Sequence, residues 1–91
     1  MAVGGELQTL RELHKTLTTS SQQISDVESK ITSSLGSTVW TGANSEKFRD
    51  AWEGFKPTLN PKLVQALDDA ATDVKTQHNN LAEATGAGDR L

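Results

Sequence analysis

The sequence predicts an all-α fold: an antiparallel hairpin of two long amphipathic helices, which pairs with a second hairpin into a four-helix bundle dimer. Apolar residues recur every three or four positions on both sides of the chain's middle. Between the two halves, Trp40-Thr41-Gly42 predicts a tight bend, because glycine turns the backbone without a Cβ clash. The chain is also too polar to bury a large core alone, which favours association with another chain.

The composition sets the size of the fold and excludes several classes of function. The 91 residues are 34% hydrophobic, with two Trp, two Phe and no Tyr, and they predict one small domain over 1–91. The net charge of −3 and the scattered basic residues argue against nucleic-acid binding. The chain has no cysteine for disulfides or thiol chemistry, and no apolar run of the roughly 20 residues that a membrane span requires.

The first predicted helix covers about residues 6–35, and its apolar residues fall on one face at heptad spacing. The main line contains Leu10, Leu17, Ile24 and Ile31. A companion line has Leu13 and Val27, but two serines interrupt it, so packing rather than intrinsic propensity must hold this helix. Gly36 is expected to lie just past the last helical residue, where glycine commonly ends a helix.

The predicted bend covers residues 36–42. Thr41 is expected to cap the second helix, since its hydroxyl can accept a hydrogen bond from a first-turn amide. Trp40 offers a large flat apolar surface and is expected to be buried, with its indole packed against both helices. Together with Gly42, these residues form the predicted bend motif.

The second predicted helix covers about residues 43–84, followed by a flexible tail over 85–91. Pro57 and Pro61 predict an interruption near 54–61, because each proline removes an amide donor and crowds the preceding turn. The unshifted apolar spacing favours a kink; a break with Asn60 as cap is the alternative. Its main apolar residues are Phe48, Trp52, Phe55, Leu59, Leu63 and Leu67. We expect these six and the four of the first helix's main line to form the hairpin and dimer interfaces.

No pattern in the chain predicts catalysis, a cofactor or a metal. His14 and His78 lack an accompanying ligand pattern such as HExxH and are predicted to be surface or seam residues. Asp68, Asp69 and Asp73 are expected to form a solvated acidic patch on the outer face of the second helix. No serine-nucleophile motif or phosphate-binding loop is present. The protein is therefore predicted not to be an enzyme.

The central Trp40-Thr41-Gly42, with the segment Ala43 to Trp52 after it, resembles the WXG family of small type VII (ESX) secretion proteins, which includes the early secreted antigenic target and its partner. The resemblance covers nearly the whole chain: its length, its two amphipathic helices, and its lack of cysteine and of a general secretory signal. The aromatic six residues after the glycine, and the tryptophan four further on, are similar to actinobacterial members.

The resemblance implies a role as a small secreted substrate or partner protein. Family members pair as homodimers or heterodimers in four-helix bundles. They are exported folded by a machine with a membrane ATPase, so this chain is expected in the cytoplasm before export and at the cell surface or outside afterwards. Some members then act as effectors or antigens, others as carriers for a larger partner.

One departure from the family concerns export. Many members carry a Tyr-xxx-Asp/Glu signal after the second helix, and this chain has no tyrosine. Asn79 and Glu83 match the spacing as a degenerate signal without the aromatic. This favours the hypothesis that the chain is the signal-lacking half of a heterodimer, which reaches the export ATPase through its partner.

Three other functions compete with this interpretation. The chain could be a non-secreted coiled-coil adaptor or structural subunit in which the bend is incidental. A small helical enzyme or metal carrier would use His14 or His78. A DNA-binding helix-turn-helix is disfavoured by the long helices and the negative net charge.

Overall fold

The computed structural model of the chain is an antiparallel pair of helical limbs, 63 Å long and 18 × 17 Å in cross-section. The structure describes residues 3–88, 90 and 91, with side chains from Glu6 onward apart from residue 89. Within these residues every secondary-structure element is a helix and there are no strands, which confirms the predicted all-α hairpin. The first limb is α1, Val3–Ser37; the second consists of α2, Ala43–Pro57, a π-helical turn, Thr58–Leu63, and α3, Val64–Ala84.

Helix α1 runs past Gly36 and ends at Ser37, so the expectation that Gly36 lies beyond the helix is wrong. The hydroxyl of Ser37 donates to the backbone carbonyl of Ser33 at 3.1 Å, and the hydroxyl of Thr38 donates to the backbone carbonyl of Ser34. These side chains donate hydrogen bonds to carbonyls of the last turn, which have no partner within the helix. In many helices a glycine in the left-handed conformation allows backbone amides to fill this role.

The second limb is interrupted at one residue. Asn60 has φ −141° and ψ 114°, outside the helical region, whereas the residues at the two ends of the π-helical turn keep helical angles. Asn60 precedes Pro61, and steric contact with a following proline disfavours the α region. The interruption therefore lies at Asn60, and α2 and α3 are two helices rather than one.

The closest approach between the limbs is between α1 and α3. Small side chains permit it: Ala71 and Ala82 of α3 and Ser21 of α1 are buried. Near the bend, larger side chains such as Trp52 bridge the limbs instead. The buried apolar residues among those described are Leu7, Trp52, Ala71 and Ala82, so the hairpin has the thin core that the composition predicts.

Candidate functional site

The bend is built around Gly42, whose φ of 110° is a conformation that side chains with a Cβ rarely adopt. Gly42 is the residue immediately before α2, and its carbonyl accepts a hydrogen bond of 3.1 Å from the amide of Glu46. No side chain caps this helix, so the expectation that Thr41 does so is wrong. The backbone turn at Gly42 starts α2 without a side-chain cap.

Arg49 ties the bend to the end of α1. Its guanidinium donates to the carbonyl of Leu35 at 2.8 Å and to that of Thr38 at 3.4 Å. Its Nε donates to Oγ of the buried Ser45 at 3.0 Å, and that hydroxyl donates in turn to the carbonyl of Trp40 at 2.8 Å. A cationic side chain at a helix C-terminus is favourable both for its hydrogen bonds and for the helix dipole.

The tryptophan that joins the limbs is Trp52, not Trp40. Trp52 is 8% exposed, and its indole nitrogen donates to Oγ1 of Thr32 at 3.1 Å. Trp40 is 41% exposed and contacts Phe48 with a centroid distance of 6.0 Å. The expectation of a buried Trp40 pinned between both helices is therefore wrong, because the loop turns its ring outward onto the start of α2.

Aromatic side chains form an exposed patch on α2. Phe48 and Phe55 are 44% and 49% exposed, and Phe55 lies 6.5 Å from Trp52 between ring centroids. These rings and Ala51 line an open cavity of about 300 Å³. Several half-exposed aromatics on one helix are more apolar surface than a solitary hairpin normally leaves in water.

Half-buried apolar side chains also line both limbs toward the open end of the hairpin. Leu10 of α1 and Leu81 of α3 line one open groove of about 530 Å³. Leu17 and Ile24 follow Leu10 at heptad spacing, and Leu67 and Val74 precede Leu81 at the same spacing. All of these side chains are only half-buried. We call these residues, together with Phe48 and Phe55, the apolar face.

The ten residues expected at interfaces fall into three groups. Trp52 is buried between the limbs, and Phe48, Phe55 and Leu63 are exposed. The others are half-buried: Leu10, Leu17, Ile24, Ile31, Leu59 and Leu67. The hairpin alone thus leaves most of this set partly in contact with water.

The centre of the seam between the limbs is largely polar, and sequence reasoning missed it. Ser21 is buried, and its hydroxyl donates to a carboxylate oxygen of Asp68 at 2.6 Å. Asp68 is itself exposed, as expected, but its carboxylate also accepts this hydrogen bond across the seam. A signal existed: Ser21 is two heptads after the buried Leu7, on a line whose middle positions, His14, Ser21 and Glu28, are polar.

His78 is the largest fully buried side chain among the described residues, and it lies in the seam. Its Nδ1 is 3.1 Å from Oδ1 of Asn79, and its Nε2 is buried with no hydrogen-bond partner. His14 is half-buried on α1. No group of three potential metal ligands comes together in the part of the chain that the structure describes.

Asn79 and Glu83, the residues at the spacing of an export signal, contact the last residues of the chain. The side-chain amide of Asn79 accepts from the Leu91 backbone amide at 2.8 Å and donates to its carbonyl at 3.5 Å. Glu83 pairs with Arg90 at 3.3 Å, between two largely exposed side chains. Gly86, with φ 76°, turns the chain back toward α3 after its last helical residue.

The comparison with protein families gives one match. The model of WXG100, described as proteins of 100 residues with WXG, matches residues 6–85, which is most of the chain. No curated protein and no solved structure matches it. In the described part of the chain, the helices are too polar or too short to traverse a lipid bilayer.

Proposed function

Because the chain belongs to the WXG100 family, we propose that it is a small substrate or partner protein of a type VII (ESX) secretion system, exported folded as a dimer. The family is associated with type VII secretion substrates, and its members typically pair with other WXG proteins. They are small secretion substrates rather than known enzymes.

The apolar face is the observation that carries the proposal. It comprises the groove at Leu10 and Leu81 and the exposed rings of Phe48 and Phe55. Burying one large apolar side chain contributes about 1.5–3 kcal/mol, so covering this face with a second hairpin would stabilise both chains substantially. Two such hairpins packed face to face make a four-helix bundle.

The proposed export route depends on which protein pairs with this chain. If the partner is a different WXG chain, that chain would supply the aromatic export signal that this one lacks and would contact the membrane ATPase. The protein would reside in the cytoplasm before export and at the cell surface or outside afterwards. A non-secreted adaptor would use the same face but would remain in the cell.

Export can be tested in a host that carries this chain together with a type VII system. We expect wild-type protein in the culture filtrate, and its loss when the export ATPase gene is deleted. Leu13→Asp places a charge on the apolar side of α1 at a position already 45% exposed, so the hairpin should fold while pairing and export fail. Thr19→Asp, at an exposed α1 position, is the matched control and should be exported.

Export that persists without the ATPase would refute the secretion route. Retention of the wild-type chain, in cells that export their other WXG proteins, would favour the adaptor instead. Circular dichroism of both aspartate variants would show that each remains helical.

A further inference from the structure

The residues that follow α3 turn back along the helix. The amide of Gly86, whose φ is 76°, donates to the backbone carbonyl of Glu83 at 3.2 Å. The amide of Ala87 donates to the backbone carbonyl of Ala82 at 2.8 Å. This pair of hydrogen bonds is a Schellman motif, in which a left-handed glycine ends the helix and reverses the chain. The reversal brings the tail of the chain back to the side of α3.

One asparagine side chain on α3 holds both backbone groups of a tail residue. Oδ1 of Asn79 accepts from the amide of Leu91 at 2.8 Å, and Nδ2 donates to the carbonyl of Leu91 at 3.5 Å. Nδ1 of the buried His78 lies 3.1 Å from the same Oδ1, which has lone pairs for two hydrogen bonds. Because hydrogen bonds to main-chain groups do not depend on the side chain of the bound residue, Asn79 is suited to recognise a peptide backbone.

Two neighbouring contacts depend on the side chains of the tail. Glu83, about one turn after Asn79 on α3, pairs with Arg90 at 3.3 Å. Leu91 is half-buried, whereas Gly88 and Arg90 are exposed. The tail therefore runs antiparallel to α3, with its basic residue at Glu83 and its apolar residue at Asn79. We call Asn79 and Glu83 the tail clamp; its chemistry suits a cationic residue followed by a large apolar one.

The tail clamp and the apolar groove lie on opposite flanks of the seam between the limbs. Successive residues of an α-helix are about 100° apart around its axis. Measured from the buried Ala82, Glu83 is therefore about 100° to one side, and Leu81, which lines the groove, is about 100° to the other. Asn79 stands in the same relation to the buried His78 as Glu83 does to Ala82. A chain that covers the groove would leave the tail clamp accessible.

The contacts that hold the tail are few and can be exchanged for those of another peptide. The side chains of Arg90 and Glu83 are 55% and 70% exposed, and ion pairs between exposed side chains contribute little. The bond from Asn79 to the carbonyl of Leu91, at 3.5 Å, is long for a hydrogen bond. Because the tail is tethered to α3, its effective concentration at the clamp is nevertheless high, and it competes with any free peptide.

We propose that the tail clamp is a binding site for a peptide segment with a basic residue followed by a large apolar one, and that Arg90 and Leu91 of the same chain occupy and block it. The tail is then an autoinhibitory segment, which a ligand of the same chemistry displaces. This function goes beyond the proposed role in secretion and does not rest on it, because it is measured on the purified protein alone.

A peptide of residues 85–91, with fluorescein at its first residue, is the probe for this site. Fluorescence anisotropy should show weak binding to the wild-type protein. The double variant Arg90→Ser, Leu91→Ser, whose own tail lacks both recognised side chains, should bind the probe about tenfold more tightly. Adding Asn79→Ala should abolish that gain, whereas Asn80→Ala, at an exposed neighbouring position of α3, should retain it. Circular dichroism would show that each variant remains helical.

The ion pair gives a second test of the same site. A probe with glutamate in place of its arginine should bind the double variant less tightly, and adding Glu83→Arg to the protein should restore the affinity. Equal affinity of the original probe for the wild type and the double variant would show that the tail blocks nothing. Affinity that survives Asn79→Ala would place the probe elsewhere on the protein. Either result would overturn the proposal, and neither bears on export.

Discussion

The indole Nε1 of Trp52 donates a hydrogen bond of 3.1 Å to Oγ1 of Thr32. This is a direct link between α1 and α2, and it anchors the buried ring of the second limb to a threonine on the first. The tryptophan of the bend motif has no such role, since 41% of its surface is exposed. The two tryptophans therefore have different roles: Trp52 stabilises the hairpin, and Trp40 presents part of its ring to solvent.

Removing Trp52 should destabilise the fold far more than removing Trp40. We expect Trp52→Ala to lower the free energy of unfolding by about 3–5 kcal/mol, as for other buried aromatics. Trp40→Ala, the matched control, should cost less than half of that because its ring is already partly hydrated. Urea unfolding followed by circular dichroism, at one fixed chain concentration, would measure both. Equal losses would contradict the assignment of Trp52 as the central contact.

The glycines Gly42 and Gly36 should respond to alanine in opposite directions. Gly42→Ala forces a Cβ into φ 110° and should destabilise by about 1–3 kcal/mol through backbone strain. Gly36 lies inside α1 with no atom within 4 Å of an added Cβ, so Gly36→Ala should stabilise by about 0.5–1 kcal/mol. Thermal unfolding of the two variants would check this. A stabilising Gly42→Ala would mean that the bend relaxes to an ordinary conformation.

Arg49 should stabilise the end of α1 through its side-chain hydrogen bonds. Arg49→Met keeps much of the aliphatic length but removes the donors to the carbonyls of Leu35 and Thr38. We expect a loss of about 1–3 kcal/mol, the range for hydrogen bonds to charged groups. Hydrogen exchange should also accelerate at residues 33–38.

Lys47→Met removes the same charge at an exposed position of the same helix and serves as the control. Its unfolding free energy should stay within about 0.5 kcal/mol of wild type. If the two methionine variants were equally destabilised, the loss would come from net charge and not from the contacts of Arg49.

The spacing of apolar residues along the sequence predicted the helices. Heptad spacing from Leu10 to Ile31 and three-to-four spacing from Phe48 to Leu67 required two amphipathic helices, and the described structure confirms an all-helical hairpin. The bend followed from Gly42, because glycine tolerates the positive φ that the turn requires. The prolines located the region of the interruption, because a following proline disfavours helical angles; the break falls at Asn60, before Pro61, whereas Lys56, before Pro57, stays within α2.

Contacts between the limbs decided what periodicity could not. Which tryptophan is buried depends on the register that brings Trp52 to Thr32 across the hairpin. The seam contains small and polar residues such as Ser21 and Asp68, which bond to each other although they are 47 residues apart in sequence. The sequence by itself determined the helices and their amphipathic faces, because these arise from neighbouring residues. The tertiary structure alone decided which face is covered and which remains open, because only the packing of one limb on the other removes a side chain from water.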